Sequence, residues 1–173
     1  MKQQLAAVIA LQLLLIGCAS QPIHQPIQMT RSFDDASYAQ YKNQGTATLS
    51  GQAFLKTRGG DVKFAAGSVV TLDPVTEYSR EWFEKAGKTW SRRNEMPPNG
   101  RFAEFRKKTV ADASGHFKFS QLSAGSYYVR TECTWHTGSS NYMVPNADIQ
   151  GGLIFLEVNI AEGEQKDIIL SSH

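Results

Sequence analysis

"TVADASGHFKFSQLSAGSYYVRTE", residues 109–132, alternates twice between apolar and polar side chains, with a turn before each run. Phe117 and Phe119 share one face, and His116 and Lys118 take the other. Beyond the Ser-Ala-Gly turn, Tyr127, Val129 and Thr131, continued by Cys133 and Trp135, line one face opposite Tyr128, Arg130, Glu132 and Thr134. A side-chain period of two marks strands that bury one face. Gly115 and Gly125 stand at turn positions suited to positive φ.

The same texture extends on both sides. "TATLSGQAFL" (46–55), "GSVVTLDP" (67–74), "FRKKTVAD" (105–112), "GLIFLEVNI" (152–160) and "QKDIILS" (165–171) bring the candidate strands to seven, most of them separated by Gly, Pro, Asp or Ser. Ile154, Leu156, Val158 and Ile160 form one stripe, and Ile168 with Leu170 supply a closing strand. With 173 residues, 41% of them hydrophobic, the chain can bury one core. The sequence predicts an all-β protein, a seven-stranded antiparallel β-sandwich over residues 46–173, with a short helical insertion (74–101) between the second and third strands.

The 109–132 stretch resembles the central signature of carboxypeptidase-regulatory-like domains, members of the prealbumin-like (transthyretin-like) sandwich group. Its counterparts here are Asp112, Gly115, Phe117, Phe119, Leu122, Gly125, Tyr127 and Val129. The final "VNIAEGEQKDIILS", with Gly163 at a hairpin, is similar as well. The resemblance implies the fold and no single activity, because such domains serve many roles.

In the insertion, Thr76 is placed to cap a helix, Glu77 suits its first turn, Lys85 its last, and Gly87 its stop. Tyr78 and Trp82 fall four apart, with Phe83 beside them. Such an aromatic face either stacks on a sugar or peptide, or packs as a lid over the sandwich. From Arg80 to Lys108 nine basic residues stand against four acidic ones, an excess of five in a chain with 18 basic and 16 acidic residues overall. Tyr78, Trp82, Trp90, Arg92, Arg93, Lys107 and Lys108 are therefore the candidate contact surface. Its partners would be an envelope protein, a glycan or an anionic polymer, unless the charges are simply solvated.

At the other end, Met1–Gln4 is a short positive start and Leu5–Ile16 an apolar run broken only by Gln12. Twelve helical residues reach about 18 Å, short of a hydrocarbon core of about 30 Å, so residues 1–17 read as a secretory signal. "LIGC" (15–18) resembles the lipobox of bacterial lipoproteins. That resemblance implies diacylglycerol on the Cys18 thiol, cleavage before Cys18 and acylation of the new amine. The product would be held at the cell envelope by lipid, and Ala19-Ser20 resembles the outer-membrane pattern, facing the periplasm in a Gram-negative source. Residues 18–45 read as the lipidated cysteine and a tether, with Ser32 and Asp35 a possible helix start.

Nothing in the sequence points to catalysis or a cofactor. His24, His116, His136 and His173 lack metal-site spacing, and no nucleic-acid motif is present. Cys133 and His136 lie three apart, on opposite faces of an extended strand, which argues against a dyad. With Cys18 lipidated, Cys133 is the one thiol left, and its place on the Val129 face predicts burial. The isopeptide-crosslinked repeats of collagen-binding proteins are a weaker parallel, through Lys56, Asn159 and Glu132, because Glu132 faces away from the core. Two readings stay open: a lipid-anchored, non-catalytic binding module using the insertion and the His136–Gly152 loop, or an assembly subunit of an envelope machine such as a secretion system.

Overall fold

The computed structural model describes residues 26–137 and 148–171. Eight strands form two packed sheets: β1 (Ala47–Lys56), β2 (Val62–Phe64), β3 (Val69–Pro74), β4 (Lys107–Val110), β5 (His116–Leu122), β6 (Gly125–His136), β7 (Ile149–Ile160) and β8 (Gln165–Leu170). One sheet is built around β1, which pairs with β2, β5 and β8; the other has the order β4-β3-β6-β7. The β-sandwich is thus as expected, and all seven expected strands are present. Two details are corrected. The strand count rises to eight, because β2 is a three-residue strand too short to show alternation, and the insertion accordingly falls between β3 and β4. The sheets are not wholly antiparallel either, since β8 pairs with β1 in parallel, Gly51 opposite Ile168.

Between the sheets, alternation does what the sequence indicates. Leu49, Phe117, Phe119, Leu122 and Leu170 meet Val70, Leu72, Tyr127, Val129, Cys133, Ile154, Val158 and Ile160 in one core. Leu156 is the exception in its stripe; it is 39% exposed. The turn before β5 needs its glycine: Gly115 has φ 77°, and a Cβ there would sit 2.4 Å from the Ala53 carbonyl oxygen.

Within the segment expected as a tether (18–45), the described residues pack against the sandwich. Asp34 caps a short helix, α1 (Asp35–Tyr38), by accepting from the amides of Ala36 and Ser37. Tyr38 is fully buried, stacked on Phe33 at 4.6 Å, and its hydroxyl is bonded to Thr76 Oγ1 at 2.8 Å. Tyr41 packs edge-on to Tyr127 at 5.2 Å. Glu81 accepts from the amides of Thr30 and Arg31 and from Lys85, and these donors hold its carboxyl down to about 2. Few aliphatic residues made this segment look like linker, but its aromatics carry the packing.

Cys133 lies on the inner face of β6, fully buried, with Sγ donating to the Lys63 carbonyl at 3.0 Å. Burial pushes its thiol pKa up, which suppresses the nucleophilic thiolate. A maleimide reagent should leave the native domain unlabelled and react stoichiometrically in denaturant; rapid native labelling, followed by intact mass, would contradict this placement.

Candidate functional site

The outer face of the β4-β3-β6-β7 sheet carries the concave site, and the insertion builds it. Thr76 caps α2 (Glu77–Trp82) with the reciprocal Thr76–Ser79 capping box, as the sequence indicates, and a wide turn over Phe83–Gly87 ends it. From there the chain crosses the outer face. Phe83 stacks on Tyr128 at 3.9 Å and meets Phe155 edge-on at 5.1 Å. Trp82, Phe83, Ala86 and Tyr128 form a second small core. Gly87 is required by this closeness, since a Cβ there would lie 2.7 Å from Phe83 and 2.8 Å from Trp82.

This packing corrects part of the expected contact surface. Tyr78 is 4% exposed and Trp82 fully buried, so neither is available to a ligand. The aromatic helix face is a lid. The basic excess is also largely neutralised in place. Arg80 pairs with Glu157, Lys85 with Glu81, Lys88 with Glu84, Arg92 with Glu95, Arg93 with Glu132, Arg101 with Asp35 and Arg106 with Asp73. Apart from Arg106–Asp73, these pairs are partly or fully exposed and contribute little individually. Trp90 stays 37% exposed with Arg93 stacked on it at 4.4 Å. Lys107 is half-buried and Lys108 exposed, and neither has an ion-pair partner among the described residues.

Strand register explains what the lid leaves open. Lys108 lies opposite Thr71, Thr71 opposite Arg130, and Arg130 opposite Phe155, so the four form one row across the outer face. The insertion covers the Phe155 end. Over the other end is a cleft of about 460 Å³, lined by Val69, Thr71, Lys108, Arg130, Glu132 and Leu153 from the sheet and by Arg93, Asn94 and Met96 from the returning insertion, with Arg106 at its base. Two charged groups are buried here. Arg106 makes a two-pronged pair with Asp73, Nε and Nη2 each 2.5 Å from a carboxylate oxygen, with the two side chains 5% and 2% exposed. Arg130 is 4% exposed and donates from Nη1 to the Gly87 carbonyl at 2.6 Å. Both guanidinium groups lie against the Trp82 ring, at 5.4 and 5.1 Å from its centre.

The expected residues Arg93 and Lys108 therefore reach the cleft. Tyr78, Trp82, Trp90, Arg92 and Lys107 do not line it. Arg130 was assigned to the outward face of its strand and so belongs here, yet nothing in its spacing signalled that a lid would bury it.

A second, wider hollow of about 930 Å³ lies between the β1–β2 turn and the paired ends of β6 and β7, beside Trp135, His136 and Gln150. It holds the described ends of the expected contact loop; residues 138–147 of that loop lie outside the described residues. Its His136–Asp148 contact, 2.7 Å, is already closed. The crosslink residues do not assemble: Glu132 is paired with Arg93, and the Asn159 amide donates to Ser126 Oγ at 3.1 Å. No cluster of three metal-ligating side chains occurs among the described residues.

No family model matches the chain, and no curated protein matches it significantly. Among solved structures, a Pseudomonas aeruginosa protein (PA1324), provisionally assigned as carbohydrate-binding, superposes with a TM-score of 0.67 at 22% identity, over 84% of this chain and all of that one. A minor pilin of Streptococcus agalactiae, GBS52, matches at 17% identity over 76% of this chain and 46% of its own, with a TM-score of 0.33. The first of these shares the β-sandwich fold; the second is too distant to add to that.

Proposed function

We propose that the chain is a lipid-anchored envelope module that binds carbohydrate without transforming it, in the cleft on the outer face of the β4-β3-β6-β7 sheet. The observation that carries this reading is the cleft itself. An inserted layer roofs one half of a sheet face and leaves the other half as a concave surface walled by Arg93, Asn94 and Met96. A hollow with a few converging polar groups on a rigid support is the usual form of a small-molecule site. The carbohydrate assignment of the Pseudomonas aeruginosa neighbour agrees with a sugar as occupant. The test is an array of envelope and plant-type oligosaccharides probed with the detergent-solubilised chain. Retention of one or more saccharides is expected, and no retention across the array would overturn the reading.

The anchor is a separate claim, resting on "LIGC" at 15–18. Several buried acyl chains hold a protein where one does so only marginally. Cys18→Ser should abolish incorporation of labelled fatty acid and shift the protein out of the mature membrane fraction. Wild-type labelling of that variant would refute the lipobox reading.

A further inference from the structure

Arg130 is a buried cation whose hydrogen bonding is mostly unused. Its guanidinium carries five N–H donors, and among the described residues its one side-chain bond runs to the Gly87 carbonyl. Among the described residues no carboxylate pairs with it, although Arg106 beside it has Asp73 and Arg93 has Glu132. Burial first, and repulsion from Arg106 second, pull its pKa down to about 10, against the weaker attraction of Asp73 and Glu132. It nevertheless stays charged at neutral pH. A buried charge with no carboxylate in direct contact is costly, and contact with Trp82 offsets only part of that cost. A purely structural position on a roofed strand would be served better by an apolar side chain.

The surroundings say what the unused donors await. Arg130, buried as it is, is one of the residues that line the open cleft. Lys108, unpaired and exposed, lies two strands away in the same cross-strand row, about 10 Å at ordinary strand spacing. Thr71 lies between them, leaving room for a sugar ring. Four cations line the cleft, and the carboxylates of Asp73 and Glu132 balance two of them. We propose that the occupant is an acidic sugar, whose anionic group docks on Arg130 and whose ring lies over Thr71 toward Lys108. A guanidinium fork receives a carboxylate or phosphate through two parallel hydrogen bonds.

This proposal rests on the carbohydrate reading, and the same array separates the two. It should carry uronic-acid oligomers, their carboxyl-reduced counterparts and phosphorylated sugars. Retention of acidic members and loss of the reduced ones is expected; uronate against phosphate then identifies the anionic group. Equal retention of acidic and reduced members would overturn the acidic proposal and leave carbohydrate binding standing. No retention at all would overturn both. For the retained acidic sugar, Lys108→Glu should weaken binding at least tenfold with an unchanged melting temperature, because Lys108 is exposed. Arg130→Met should abolish binding while the fold is kept. Unaltered affinity in both variants would also overturn the proposal.

Discussion

Trp82→Ala should lower the stability of the folded chain by about 3–5 kcal/mol, the range for emptying a buried aromatic site. Trp82 is fully buried and packs against Phe102, with ring centres 5.9 Å apart, and against the Arg106 and Arg130 guanidinium groups. Its removal leaves a cavity under the lid and strips two buried cations of their aromatic contact. For a protein of this size, the melting temperature should fall by roughly 6–20 °C. Trp90→Ala provides the contrast. Trp90 is 37% exposed and stacks on Arg93 alone among its ring contacts, so the change should cost about 1 kcal/mol or less. Thermal unfolding of the two variants side by side distinguishes a structural lid from an aromatic contact face. Equal, small losses would mean that the insertion is not packed as described.

The second large effect is expected at Asp73. Its side chain is 2% exposed and holds Arg106 by two short bonds. Asp73→Ala would leave Arg106 and Arg130 as neighbouring buried cations, and breaking a buried pair from one side typically costs about 3–5 kcal/mol. Removing both partners is different, because a well-packed apolar pair can replace a buried ion pair at little cost. Asp73→Leu combined with Arg106→Met should therefore recover much of the stability lost by Asp73→Ala. A double variant as unstable as the single one would show that the loss is one of packing, not of an orphaned charge.

The sandwich was legible because its signal is local. Phe117 with Phe119 and Tyr127 with Val129 announce which face of each strand is buried, and the structure buries them. The Thr76 cap and the Gly87 stop were legible for the same reason, each being set by a few neighbouring residues. Pairing partners are not local. Nothing in Gln165–Leu170 tells a parallel mate from an antiparallel one, so the β1–β8 pair could not be read. Charge balance is not local either. The run from Arg80 to Lys108 looked like a basic patch because Asp35, Asp73, Glu132 and Glu157, distant in sequence, are brought to its arginines only by folding. Strand alternation puts Arg130 on the outer face, and the structure has it there. Its burial depends on an insertion more than forty residues upstream laying Trp82 across it.

If a sugar binds on the half-roofed sheet face, amide chemical-shift mapping will locate it there. The isotopically labelled chain would be titrated with whichever oligosaccharide the array retains, in a detergent that keeps the chain soluble. Saturable shifts centred on Val69, Thr71, Met96, Lys108, Arg130 and Leu153, which line the cleft, are expected. Shifts confined to Trp135, His136 and Gln150, around the second hollow, with the cleft silent, would contradict this placement.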